Sequence, residues 1–327
     1  MSDSRTKRLI LTCAAGLSVL LVVIIAGKSA FGKRMDKETE SCPVPVNLNE
    51  TLTNEMSDTS CLAGFDKIVK DYLTYWGIHG ASLSVMRNDS LLFAKGYGEA
   101  DTDKKMGPGN ILRMASVSKL VTAVGIMVLQ ERGLLSIKDH VFGPDGILND
   151  SAYVAAIKDT LYNRITVEDL LRHKGGFSKR GGDPMFSTRW IMMQNGWKEV
   201  PTQEQLMELQ LKRRVRFVPG TAQEYSNFGY LALSMVIEKV SGMDYETFMQ
   251  ENVLRPIGCV DFHIAGNYYK HKLPNETRYY VQHDDEPAEE FNNSGRKVIR
   301  CYGGNNVTGL SGAGAWAAST PELALLV

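Results

Sequence analysis

The chain has 327 residues, of which 43% are apolar and 23% charged, with 37 basic and 37 acidic side chains. That is the composition of a globular protein. The neutral balance gives no reason to expect a nucleic-acid partner, and neither a fixed-period repeat nor a long low-complexity tract is present.

The first element is not globular. A short tail, residues 1–8, carries Arg5, Lys7 and Arg8 and precedes an uncharged apolar run from Leu9 to Gly27. The run is long enough to span a hydrocarbon core, so it is expected to be a transmembrane signal-anchor. A cleaved signal peptide is the alternative, with Ala30-Phe31-Gly32 at the right offsets. Cys13 falls in mid-run and reads as a membrane residue. Basic residues flank both sides (Lys28, Lys33, Arg34 and Lys37 follow), so the positive-inside count does not fix orientation. Six N-x-[ST] acceptors, at Asn49, Asn88, Asn149, Asn275, Asn292 and Asn306, against roughly two expected by chance, favour export and a glycoprotein. The folded part is therefore expected on the extracytoplasmic side. Cys42, Cys61, Cys259 and Cys301 could then form disulfides, locally Cys42–Cys61 and Cys259–Cys301, or remain buried thiols. No metal site is expected from them, because no two lie close in sequence beside a His.

Residues 28–60 are polar, with Pro43 and Pro45, and read as a spacer before a domain covering 61–327. Leu62 to Trp76 keeps a helical apolar period and stops at Gly77 and Gly80. Ala81 to Met86 and Leu91 to Gly98, joined through Arg87-Asn88-Asp89-Ser90, predict a β-hairpin. After a loop over Lys104 to Asn110, an apolar helix carrying Ser116 runs to about Gly133. Helices are then predicted after Thr166, ending at Gly175-Gly176, from Thr202 to Leu211, from Phe228 to Ser241, and from Asp244 to Asn252. Asp261 to Val307 is polar and irregular. Its acidic run (Asp284, Asp285, Glu286, Glu289, Glu290) reads as a solvated surface loop, not a metal site.

The chemistry-bearing stretch is Ser116-Val117-Ser118-Lys119. Residues i and i+3 share a helix face, which sets an amine beside a hydroxyl. Serine needs a neighbouring base to act as a nucleophile, and lysine becomes one when apolar neighbours desolvate it. The run Leu120 to Leu129 supplies those neighbours. The spacing alone is weak evidence, since roughly one S-x-x-K is expected by chance in a chain this long. Ser4-Arg5-Thr6-Lys7 and Ser294-Gly295-Arg296-Lys297 also match, but neither opens an apolar helix.

Further segments match in order: "ERGLLSIKD" (Glu131 to Asp139), "ITVEDLLRHKGGF" (Ile165 to Phe177), "FVPGTAQEYSNFGYLALSMVIEKVSGMDY" (Phe217 to Tyr245) and "SGAGAWAASTPELA" (Ser311 to Ala324). With these the chain resembles the serine beta-lactamase and penicillin-binding-protein superfamily, most of all its class C-type branch, which includes related esterases and D-amino-acid peptidases. The resemblance covers about Leu62 to Val327. It implies an α+β, beta-lactamase/transpeptidase-like fold: an antiparallel sheet flanked by helices, with a helical subdomain. It implies a serine hydrolase working through an acyl-enzyme on a beta-lactam, a D-amino-acid peptide or a small ester, with no cofactor. Ser116 would be the nucleophile and Lys119 its proton partner. Tyr225 would move the proton between nucleophile and leaving group, and Asn227 would bind the substrate amide or steady the lysine. The Ser116 N–H would form half the oxyanion hole.

The family's third motif, K-T-G or H-x-G on a strand, follows the "GAGAW…ST" region by many residues, and this sequence ends at Leu325-Leu326-Val327, inside an apolar helix. The expectation is thus an incomplete chain. His173-Lys174-Gly175 fits H-x-G as text, but its place upstream of Tyr225 makes it a helix-ending segment. The competing reading is a non-catalytic membrane-anchored protein that keeps the fold to bind a partner.

Overall fold

The computed structural model describes residues 47–58, 63–178, 182–281 and 286–327. The anchor run Leu9–Gly27 and the cysteines Cys13, Cys42 and Cys61 lie outside them. Among the described residues no helix is long and apolar enough to cross a membrane.

Part of the expected spacer is folded. Leu48–Thr51 forms α1 and Asn54–Ser57 a 3-10 turn. Their polar side chains find partners in the domain, which is why a polar sequence here is not a free linker. Asn49 is buried and donates to Asp261, and Ser57 Oγ bonds both the N–H and the carbonyl of Ala94. The Asn49 amide, in the first of the expected N-x-[ST] acceptors, is thereby engaged by Asp261, whereas Asn88, Asn149 and Asn275 are exposed.

Helix α2 (Ala63–Trp76) packs Phe65, Val69 and Leu73 on Phe93 and Tyr97 of the hairpin. The hairpin pairs β1 (Gly80–Arg87) with β2 (Ser90–Asp101) in antiparallel register. Its two-residue turn, Asn88-Asp89, has both φ angles positive (49° and 56°), the geometry that matches strand twist and suits Asn and Asp. A short β3 (Lys104–Lys105) extends the sheet to the order β1-β2-β3. Gly96 is required there, because a Cβ would stand 2.4 Å from the Met106 carbonyl oxygen.

The second sheet positions the functional residues. Its order is β4 (Leu112–Arg113), β8 (Trp316–Ala318), β5 (His263–Ile264), all antiparallel. Against it lies α3 (Ser118–Glu131), which buries Val121, Ile126 and Leu129 in the main core. The helical part follows: α4 (Ser151–Ala156), α5 (Val167–Leu171), α6 (Thr188–Asn195), α7 (Gln203–Leu211), α8 (Asn227–Ser241) and α9 (Tyr245–Met249). Thr166–Asp169 and Thr202–Gln205 close reciprocal capping boxes at α5 and α7. Helix α8 is buried along its first eleven residues and forms the centre of the core. The chain closes with α10 (Thr320–Leu326), whose Thr320 hydroxyl meets Ser82 and Ser84 of β1 at 2.8 Å.

The irregular stretch after Asp261 is a packed shell. Arg113 anchors it, donating to the carbonyls of Cys301 (2.7 Å) and Gly266 (2.8 Å) with its guanidinium over the Tyr279 ring. The expected solvated acidic loop is corrected at Glu290. Its carboxylate is buried and accepts from Arg296, Tyr268 and Ser294, which holds it ionised down to about pH 2. It tethers the hairpin of β6 (Ala288–Glu289) and β7 (Lys297–Val298). Asp284 and Asp285 lie outside the described residues. Cys259 and Cys301 are unpaired; each thiol donates to a backbone carbonyl instead, of Glu322 and Tyr279.

Candidate active site

Three buried polar contacts fix where α3 begins. The Trp316 N–H donates to Ser118 Oγ (3.1 Å), the Trp316 indole donates to Tyr245 Oη (2.9 Å), and Thr122 Oγ1 donates to the Gly312 carbonyl (2.7 Å). Tyr245 and Thr122 also meet at 2.7 Å, so α3, α9, β8 and the turn before β8 share one network. Such networks specify an arrangement because every member is satisfied.

Ser116 does not sit in the helix itself. It occupies a 3-10 turn, Ala115–Val117, that feeds α3, and the preceding Ala115 has φ of +47°. A non-glycine residue in that region stores roughly 1–3 kcal/mol of strain, held by its surroundings. The turn leaves Ser116 exposed while Lys119, one turn on, is buried.

Lys119 Nζ has three acceptors: Ala313 carbonyl (2.6 Å), Asn227 Oδ1 (2.7 Å) and Ser116 Oγ (3.4 Å). Its ammonium also lies over the rings of Tyr225 (4.7 Å) and Tyr230 (5.5 Å). Burial pulls its pKa below the ordinary lysine value, opposed by Tyr225 and Asp183. Tyr225 Oη donates to Ser116 Oγ at 2.7 Å. Ser226 caps α8 by accepting from the Gly229 N–H, and on either side of it Tyr225 is turned outward and Asn227 inward. All four residues singled out in the sequence, Ser116, Lys119, Tyr225 and Asn227, therefore converge, and Asn227 steadies the lysine.

Two further residues were not legible as part of this cluster. His173, expected only to end a helix, has φ of +57°, accepts from the Ser226 N–H through Nδ1 (3.2 Å) and lies against the rings of Tyr225 and Tyr230. Its segment is tied to the chain before Tyr225 by Glu224 N–H to His173 carbonyl (2.9 Å) and Gly220 N–H to Lys174 carbonyl (3.1 Å). Asp183 accepts from Asn227 Nδ2 at 2.7 Å. The Asp183-Pro184 pair carried a local signal, a cap with proline at the first helical position, but nothing pointing to Asn227, 44 residues away.

Comparison with known proteins decides the lineage. The Beta-lactamase family model matches residues 65–327. The chain belongs to the beta-lactamase family. Penicillin-binding protein 4* of Bacillus subtilis is 25% identical over 188 residues, 57% of this chain and 37% of that protein. A putative D-alanyl-D-alanine carboxypeptidase of Escherichia coli O157:H7 is 23% identical over 234 residues, 67% of this chain and 49% of that protein. The chain thus spans less than half the length of both relatives. The crystal structure of D-amino acid amidase from Ochrobactrum anthropi SV3 superposes with a TM-score of 0.60 over 82% of this chain and 69% of that one, at 19% identity. This beta-lactamase family fold agrees with the α+β, transpeptidase-like architecture expected from the sequence.

Proposed function

We propose that this member of the beta-lactamase family is a serine hydrolase that opens an amide or ester through an acyl-enzyme on Ser116. The observation that carries this is the placing of one hydroxyl oxygen, Ser116 Oγ, 2.7 Å from a phenol and 3.4 Å from a buried amine. As an ammonium, Lys119 uses three N–H bonds on three acceptors. As a neutral amine it keeps the two shorter ones, to Ala313 and Asn227, and turns its lone pair to the longest, Ser116. Neutral Lys119 then takes the Ser116 proton while Oγ attacks the carbonyl carbon. Collapse of the tetrahedral adduct breaks the bond to the leaving group, which receives the Tyr225 proton, and the lysine ammonium returns a proton to Tyr225. Water reverses the sequence to free the acid and restore Ser116. The Ser116 N–H, at the positive end of α3, would receive the developing oxyanion.

Relatives described as a penicillin-binding protein and a D-alanyl-D-alanine carboxypeptidase support a substrate with a D-amino-acid amide; a beta-lactam or small ester suits the same chemistry. The run Leu9–Gly27 after Arg5, Lys7 and Arg8 supports anchoring in a membrane, with the domain outside the cytoplasm. Incubation with a fluorophosphonate or labelled penicillin, followed by peptide mapping, should place the adduct on Ser116. Folded protein that takes no label, or a Ser116→Ala variant that still hydrolyses a chromogenic ester, would overturn the assignment in favour of a binding role.

A further inference from the structure

We propose that Asp183 is a positioning residue for this centre: its carboxylate locks the Asn227 amide, and through it holds the Lys119 amine in line with Ser116. The proposal rests on the reading of Ser116 as nucleophile, and on contacts independent of it.

The chain of contacts is continuous. Asp183 Oδ2 accepts from Asn227 Nδ2 (2.7 Å), Asn227 Oδ1 accepts from Lys119 Nζ (2.7 Å), and Lys119 Nζ reaches Ser116 Oγ. An amide has one accepting and one donating end, so the two neighbours decide which way it faces. An ammonium can only donate and a carboxylate only accept. Turning the amide over would set its NH2 against the ammonium and its oxygen against the carboxylate, losing both bonds at once. Asn227 is itself buried, so water cannot replace them cheaply.

Asp183 is in turn fixed by the fold. It caps the 3-10 turn Pro184–Phe186, its Oδ1 accepting from the Met185 N–H at 3.0 Å, and Pro184 and Met185 are both buried. One carboxylate oxygen is thus committed to the backbone and the other to Asn227. An asparagine at 183 has a single oxygen and cannot serve both. If it keeps the cap, it presents an NH2 to the Asn227 NH2 and the lock is lost. Of the side chains around Lys119, namely Ser116, Tyr225, Tyr230, Asn227 and Asp183, the last is a carboxylate, and its charge favours the ammonium form.

The experiment is Asp183→Asn, with Asp183→Glu as the conservative control that keeps two oxygens. Hydrolysis of p-nitrophenyl acetate and the 13C resonance of the Lys119 ε-carbon (assigned with Lys119→Arg) are followed against pH. Asp183→Asn should lower kcat about 10–100-fold, the range seen when the partner orienting a functional ligand is removed, with KM moving less than about threefold. The Lys119 titration should move to lower pH, and Asp183→Glu should recover part of both. An unchanged kcat with an unmoved Lys119 titration overturns the proposal. If the wild-type protein neither labels at Ser116 nor hydrolyses the ester, the hydrolase reading falls, but the Asn227 side-chain 1H–15N resonances (assigned with Asn227→Asp) still decide this one: loss of their slow exchange in Asp183→Asn upholds the lock, and unchanged exchange refutes it.

Discussion

Replacing Tyr225 by phenylalanine separates proton transfer from packing. The phenol oxygen reaches Ser116 Oγ at 2.7 Å, while the ring lies beneath the Lys119 ammonium at 4.7 Å and against His173 at 4.5 Å. Phenylalanine keeps both ring contacts and deletes the hydroxyl that, in the proposed mechanism, hands a proton to the leaving atom. A positioned acid or base is worth about 10²–10⁴ in rate, which is ~3–5 kcal/mol of barrier. The residue is 42% exposed, so its stability effect should stay within about 0.5 kcal/mol. Hydrolysis of a D-amino-acid p-nitroanilide, whose amine leaving group must take up a proton, should fall by at least about a hundredfold, with an unchanged urea midpoint. A rate within about threefold of wild type would refute the proton role. An equal loss of rate and of folding free energy would show that Tyr225 acts through packing alone.

Other outcomes follow from the same geometry. Because burial lowers the Lys119 pKa, the acylation rate should rise with pH along a limb lying below the usual lysine value, and Lys119→Arg, a fixed cation, should abolish turnover. Ser118→Ala leaves the buried Trp316 N–H without its acceptor and should cost about 1–3 kcal/mol in denaturant unfolding, while fluorophosphonate still labels Ser116. His263 lies between Asp261 and Glu246, and its hydrogen bond to Asp261 comes first in raising its pKa from 6.5 to about 9. A raised folded-state value stabilises the fold fully below the unfolded value and loses that contribution as pH climbs through 9. For a half-buried pair this amounts to ~1 kcal/mol. Urea midpoints at pH 6 and above pH 9.5 should differ accordingly, and a His263→Asn variant should remove the difference.

What could be read from the sequence was local. The hairpin turn at Asn88-Asp89, the capping boxes at Thr166 and Thr202 and the apolar helices carry their signals within a few residues. Ser116, Lys119, Tyr225 and Asn227 were legible because their spacing is a wording shared across a family. What was missed is held by distant partners. Glu290 looked like one acid among several until Arg296, Tyr268 and Ser294 enclosed it. Asn49 and Ser57 looked like linker residues because their partners, Asp261 and Ala94, are remote in sequence. His173 and Asp183 meet the site through backbone turns at φ of +57° and at a proline cap, and no periodicity announces such contacts.

The turn that carries Ser116 bears on how a substrate could be received. A nucleophile inside the helix would have shared the burial of its amine, and a ligand would have had to pry the two apart from the core. Here a strained step at Ala115 lifts the hydroxyl to the surface and leaves the amine beneath it, already desolvated and already bonded to Asn227 and Ala313. Access and activation are assigned to different residues of one turn. In the proposed mechanism a substrate carbonyl would therefore meet a primed oxygen without any opening of the core, and the cost of excluding water from the base would be met during folding, once, and not again at each turnover.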